Sequence, residues 1–486
     1  MEARTSLGLY VAIAALGWIF HILYKVFKSP LWHIQGPITT RFTRLPLKLA
    51  TISGQQIYYI HDLHQRYGQI VRISPTEVSV SSLPDFKEIH RVGSGFVKSD
   101  WYSTFTPGRE GVFAMQDVKN HAQRRKLFAR PFSKTAIRGS WEHVVKEKVQ
   151  LMVSQICNEL ETTGICDILK WSTFLATDVS GHLMFGESFN MLGTGQKNEY
   201  IRILESATKG SGIGSELPIL RIIGPYVPLQ SFRDMFRTDE YLLKYSQRAV
   251  KNSRKNSESC RNIFSGLVYE TERDRSALSD MEVATEAGNL IIAGSDTTAV
   301  TLTYLIWAIL SHPSLRLQIE EELISLRDEY NEADLESLPT LNATITETLR
   351  LYGAAPGSLP RTVPEGGVTL AGFYIPAGTT VSTQSYTIHR DPILFPNPDK
   401  FDPARWLPGE RQASEQARMA LSPFGAGSRI CLGIHLSWME LRLGAAEFFR
   451  KSGSVGLAPS VSEKSMRPEH YFLIAPSAHK CEVIRK

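Results

Sequence analysis

The chain has 486 residues, 42% hydrophobic and 21% charged, an ordinary balance for a protein able to bury a sizeable core. A formal charge of +5, with no basic stripe interleaved with stacking aromatics, is too mild to imply a nucleic-acid partner. The five cysteines, Cys157, Cys166, Cys260, Cys431 and Cys481, have neither zinc nor disulfide spacing and are odd in number, which argues against a disulfide scaffold and for thiols in a reducing compartment.

Residues 7–24 carry no formal charge and approach the ~20 residues needed to span a bilayer. Trp18 and Tyr24 suit an interface, and no small-residue cleavage site follows. Lys25, Lys28, Arg41, Arg44 and Lys48, set against Arg4, place the C-terminal side in the cytosol. Residues 1–28 are therefore predicted to be a single-pass anchor, and the sequon Asn342-Ala343-Thr344 is expected to stay unmodified. Residues 29–40, with Pro30 and Pro37, read as a stiff linker ahead of one large domain over 41–486. Residues 54–67 read as a short helix, and 69–74 and 77–81 as two strands joined at Pro75.

From 93 to 118 the chain is rich in Gly, Ser and aromatic residues without a clear period. It reads equally as a recognition loop over a pocket and as a packed surface loop. In the helical segment that follows, His121 and Arg125 stand four apart and share a face, where two donors could reach one anion. Lys119, Arg124, Lys126, Arg130, Lys134 and Arg138, opposed nearby only by Asp117, would form a positive patch. Residues 141–260 alternate amphipathic patterns with Gly- and Pro-containing breaks, including an apolar segment at 217–223 and a polar one at 244–262. After the capping signal Ser279-Asp280 a long apolar helix is predicted over 282–311. In its middle Ala293-Gly294-Ser295-Asp296-Thr297-Thr298 places a glycine, at about 1 kcal/mol relative to alanine, beside hydroxyls able to compete for helix carbonyls. Glu347 and Arg350 share a helix face three apart, and Arg405 follows within Phe401-Asp402-Pro403-Ala404-Arg405-Trp406.

Near the C-terminus Phe424-Gly425-Ala426-Gly427-Ser428-Arg429-Ile430-Cys431-Leu432-Gly433 precedes a stretch with helical periodicity. A cysteine there meets backbone N–H groups and the positive end of a helix dipole, which favour a thiolate able to ligate haem iron. Taken alone, Cys431 would more often be a buried free thiol. Its neighbours decide otherwise: Phe-x-x-Gly-x-Arg-x-Cys-x-Gly is matched at every fixed position. The chain therefore resembles the cytochromes P-450, the haem-thiolate monooxygenases, in their microsomal fungal form.

The resemblance implies a mainly α fold with a small β-rich region behind an N-terminal transmembrane helix. It implies haem b with Cys431 as axial thiolate, Phe424 and Gly433 beside it, and His121, Arg125, Arg361 and Arg429 on the propionates. It implies that Ala293 and Gly294 let the haem approach, and that Asp296 and Thr297 deliver protons to the oxygen being activated. Glu347, Arg350 and Arg405 would form a buried network supporting the cysteine loop. Segments 93–118, 355–359 and 466–474 would line the substrate site, and 217–223 would be a membrane-dipping lid.

The activity so implied is hydroxylation or epoxidation of a hydrophobic small molecule, such as a terpenoid, polyketide or alkaloid of fungal secondary metabolism, at the endoplasmic reticulum membrane. Electrons would come from NADPH through a flavin reductase docked on the basic patch, with cytochrome b5 as a second donor. Two other classes compete: a haem-thiolate isomerase or dehydratase needing no reductase, and a non-catalytic haem-binding protein. Asp296-Thr297 and the basic patch favour the monooxygenase.

Overall fold

The computed structural model describes residues 26–108, 110–197, 209–236, 262–265 and 278–486, with scattered positions in 13–24 and 247–252. Most of the polar stretch 244–262 lies outside them. Short helices α1 (Leu45–Ile52) and α2 (Gln56–Tyr67) lead into strands β1 (Ile70–Ser74) and β2 (Glu77–Val80), as the alternation there predicts. Helix α3 (Leu83–His90) follows, and the long loop contains β3 (Val97–Lys98) and one helical turn, α4 (Trp101–Phe105). Next come α5 (Val118–Ala129), α6 (Lys134–Thr163), β4 (Ile165–Asp167) and α7 (Ile168–Phe185).

The axis of the molecule is α8 (Asp280–Ser311). Ser279 caps it through a reciprocal pair: its hydroxyl accepts from Glu282 N–H, and the Glu282 carboxylate accepts from Ser279 N–H. The helix is long and apolar enough to cross a membrane, yet 61% of its most apolar window is buried, which makes it a core element. It packs along α7 and against α11 (Pro339–Tyr352) and α12 (Ile434–Lys451), with α9 (Pro313–Ile324) and α10 (Glu332–Glu336) beside them. Gly444 of α12 permits that approach, since a Cβ there would meet Leu302 at 3.0 Å. Apolar faces of α6, α7, α8, α11 and α12 supply most of the main core.

Sheet structure is minor, as predicted. A five-stranded sheet runs β1-β2-β8-β5-β3, with β5 (Arg361–Thr362) and β8 (Thr380–Ser382) separated in sequence by the hairpin β6 (Val368–Leu370) and β7 (Phe373–Ile375). Only the β2–β8 pair is parallel within it. This sheet matters for the site because it joins the long loop, through β3, to Arg361 on β5. At the C-terminal end β12 (Glu482–Arg485) pairs with β4 on one side and β9 (Val455–Leu457) on the other, and β10 (Pro468–His470) with β11 (Ile474–Pro476) forms a hairpin.

Candidate active site

The cysteine loop is built by glycines. Gly425 and Gly427 take φ of 74° and 64°, and a Cβ at Gly427 would come within 1.8 Å of the His90 carbonyl. No other residue type fits Gly427. The Cys431 N–H donates to the Phe424 carbonyl at 2.9 Å, closing the loop, and α12 starts three residues later. Cys431 is open to solvent, yet enough protein surrounds it that burial pushes the thiol up. The Gly433 N–H and the Arg125 guanidinium oppose that push and favour the thiolate. Desolvation outweighs these two groups here, a balance the sequence did not reveal.

Near Cys431 positive charge is concentrated. Arg429 donates to the carbonyls of Met115 and Gln116 at 2.7 and 3.3 Å, and Arg361 donates to Tyr102 Oη at 3.0 Å. Arg125 is half-buried and makes no hydrogen bond or ion pair among the described residues. His121, on the same face of α5, is buried and held near 3 by desolvation and by Arg429, Lys98, Arg125 and Arg361. Burial and the Arg361 charge hold Arg429 down to about 10. The predicted four groups do converge, and the structure adds a fifth that sequence reading missed. Lys98 on β3 is buried, its ammonium 4.1 Å from the Tyr102 ring centroid, and it is held well below the usual lysine range by burial and by Arg361, Arg429 and Arg125. Nothing in the local pattern around Lys98 distinguishes it from a surface lysine. The carboxylate of Asp117 acts on Arg429 less strongly than the Arg361 and Arg125 charges do. Buried positive charge in this excess requires an anionic partner.

Helix α8 remains helical through residues 293–298. The Thr297 hydroxyl donates to the Ala293 carbonyl at 2.6 Å, and Thr301 repeats the pattern onto Thr297 at 2.8 Å. These hydroxyls thus share helix carbonyls without opening a bulge. Ala293 is exposed and Asp296 half-buried. Gly294 has a packing reason for being glycine: a Cβ would stand 2.4 Å from Ser180 Oγ on α7.

Behind the cysteine loop the three-way network forms. Arg350 donates to both oxygens of Glu347 at 2.8 and 2.9 Å, and Arg405 Nε lies 3.4 Å from Glu347 Oε1. Trp406 Nε1 and the Asp402 N–H complete the carboxylate shell at 2.9 Å each. His389, not anticipated from sequence, carries this network to the cysteine loop. Its Nδ1 donates to the Arg350 carbonyl at 3.0 Å and its Nε2 accepts from Ser422 N–H at 2.9 Å, which assigns the tautomer. Replacing it, as His389→Phe, orphans two buried backbone groups at ~1–3 kcal/mol each. The variant is expected to melt at lower temperature and to lose its prosthetic group sooner; an unchanged melting curve would remove His389 from the support of the loop.

Acid sensitivity follows from the same residue type. Burial holds His64 near 4 and His90 and His389 near 3, all below their ordinary 6.5. The unfolded chain therefore binds more protons than the folded one between those values, so stability is full above about pH 6.5 and declines as pH falls toward 4. The urea midpoint at pH 5 is expected below that at pH 7.5, and equal midpoints would contradict it.

The basic patch needs correction. Arg124 is buried and paired with Glu286 at 2.9 Å and with Glu282, while Lys134 pairs with Glu336 and Arg138 with Glu332 and Glu336. Half of the proposed patch is thus neutralised by carboxylates from α8 and α10, while Lys119 and Lys126 are exposed on α5. Asn342, the sequon residue, is occupied structurally: its amide donates to the Leu335 and Leu338 carbonyls at 2.9 and 2.6 Å.

With this geometry in view, comparison with known proteins is decisive. The Cytochrome P450 family matches residues 40–481. Cytochrome P450 monooxygenase cypX of Dothistroma septosporum is 38% identical, covering 99% of this chain and 96% of its own length. Cytochrome P450 monooxygenase tazI of Aspergillus terreus is 39% identical over 97% of both chains. Cytochrome P450 monooxygenase aflV of Aspergillus parasiticus is 38% identical, covering 96% and 93%. The family implies haem iron with thiolate ligation, and the chain belongs to the cytochrome P450 family as a monooxygenase.

Proposed function

We propose that Cys431 is the axial thiolate of a haem b and that His121, Arg125, Arg361 and Arg429, joined by Lys98, hold its two propionates. On this reading the protein hydroxylates or epoxidises a hydrophobic small molecule in fungal secondary metabolism. The observation that carries it is the convergence of four basic side chains, Lys98, Arg125, Arg361 and Arg429, with the imidazole of His121 among them, beside a cysteine on a glycine-built loop. A planar dianion with a central metal matches both the charge excess and the sulfur. When bound, the haem supplies dioxygen activation at a thiolate-ligated iron. The chain's residues do the rest: Gly433 N–H and Arg125 stabilise the thiolate, Arg429 and Arg361 fix the anionic edge, and Thr297 with Asp296 holds and passes protons. Electrons come from NADPH through a flavin reductase docking near Lys119 and Lys126, with cytochrome b5 as a second donor.

The test compares extracts of cells with and without the gene by mass spectrometry. It then supplies the accumulating precursor to purified protein with reductase, NADPH and labelled dioxygen gas. One labelled oxygen atom in the product, dependent on NADPH, is expected. Turnover without reductase or NADPH and without label uptake would replace this reading with an isomerase or dehydratase.

The protein is also proposed to be held at the endoplasmic reticulum membrane by residues 1–28, with its catalytic domain cytosolic. The described positions of 13–27 are helical, and Leu16, Phe20, Tyr24 and Phe27 are exposed. A second apolar surface, from Ile38, Phe42 and Leu49 and from Ile222, Ile223 and Tyr226 at 217–226, is exposed as well. Deleting 1–28 is expected to move much of the protein to the soluble fraction with its haem spectrum intact. A truncated protein unable to bind haem would make the segment part of the fold.

A further inference from the structure

Between α4 and α5 the chain crosses the face of α8 as loop 111–116, held at both ends by groups far away in sequence. At its start the Val112 N–H donates to both oxygens of Glu286 at 2.9 and 3.2 Å, and Arg124 from α5 donates to the same carboxylate at 2.9 Å. Glu286 is fully buried; burial raises its carboxyl, and Arg124 and the Val112 N–H draw it back. The fit is tight: a Cβ on Gly111 would stand 2.5 Å from Asn289 Nδ2 and 2.8 Å from Glu286 Oε2. At the far end the Met115 and Gln116 carbonyls receive Arg429. Between the two clamps Phe113 lies in an aromatic cluster, its ring centroid 5.4 Å from Tyr102 and 5.7 Å from Phe472. Trp101 and Phe105 stack at 4.8 Å, and Phe105 lies 4.7 Å from Phe472. Trp101, Phe113 and Phe472 are only half-buried, so their rings remain available to a further ring in offset or edge contact.

We propose that Glu286 is a positioning residue for substrate recognition: by holding Val112 against α8 it fixes Phe113 in an aromatic wall that accepts aryl-bearing substrates. Along α8 the clamp lies ten residues, about 15 Å, before Asp296, which separates it from the proton-delivering turn. Its effect is therefore on what is bound and how firmly. A full negative charge is needed because Arg124 and a backbone N–H converge on it in a site without water access.

The inference rests on Cys431 as the haem ligand, and the test separates the two. Full-length holoprotein is titrated, by difference spectroscopy, with imidazole, which reaches only the iron, and with clotrimazole, whose three aryl rings extend from the iron into the pocket. Glu286→Gln and Gly111→Ala are both expected to keep the thiolate–carbon monoxide band and the imidazole Kd within about twofold, while clotrimazole binds roughly tenfold or more weakly. Gly111→Ala is the check against simple fold damage. It removes no polar group, and Gly111 lies outside the left-handed region, so it displaces the loop by volume alone. If both ligands weaken together, or neither does, the clamp is ordinary scaffolding and the inference falls. Should Glu286→Gln fail to retain haem, Gly111→Ala decides by the same criterion. Absence of the thiolate band in the parent protein would instead overturn the assignment of Cys431.

Discussion

Replacing Cys431 by serine is expected to abolish the red-shifted carbon monoxide band of the reduced protein and, with it, all oxygenation. The reason is specific to this sulfur. Cys166 and Cys481 lie buried where β4 meets β12, and burial pushes the Cys166 thiol up and the Cys481 thiol up to about 12. Cys157 is also raised, first by burial and then by Glu161. At Cys431 burial acts in the same direction, but there the Gly433 N–H and Arg125 act on the sulfur in favour of the anion. A serine hydroxyl at this place is a weak donor with a far higher pKa, and it cannot push electron density into iron as a thiolate does. Serine variants at Cys157, Cys166, Cys260 and Cys481 should keep the band. Its persistence in Cys431→Ser, or its loss in one of the others, would move the ligand elsewhere.

The second large effect is expected at Thr297. Its hydroxyl is held on the Ala293 carbonyl at 2.6 Å, beside exposed Ala293 and one residue from Asp296, on a part of α8 that is not sealed by packing. A hydroxyl so held donates to its own helix and still accepts from a water or an acid. That combination suits a relay more than a structural bond, since alanine would cost the helix nothing in propensity. Positioned proton transfer typically contributes about 100- to 10,000-fold. Thr297→Ala is therefore expected to consume NADPH at a comparable rate while product falls by a factor in that range and hydrogen peroxide rises to account for the difference. Unchanged product yield per NADPH would remove Thr297 from proton delivery, and loss of NADPH consumption itself would place it in electron entry or haem retention.

What could be read from sequence was what is local. The Ser279 cap, the helix of 282–311, the strand pair around Pro75 and the glycine loop before Cys431 depend on neighbours a few residues apart, and each lies where its pattern places it. Glu347 and Arg350 could be paired because they share one helical turn. Charge balance between distant elements was not legible. Arg124 finds Glu286 162 residues away and Lys134 finds Glu336 202 residues away, so half of the apparent patch of six basic residues is neutralised. His389 and Lys98 were invisible for the same reason: a lone histidine and a lone lysine acquire meaning only when folding brings Ser422 N–H to one and three arginines to the other. The chain's sequence thus determined its fold family, its cysteine loop and the helix over it, because caps, periodicity and glycine conformation act over one or two turns. Tertiary structure alone decided which charges are compensated and which await an anion, because burial and long-range pairing set that balance.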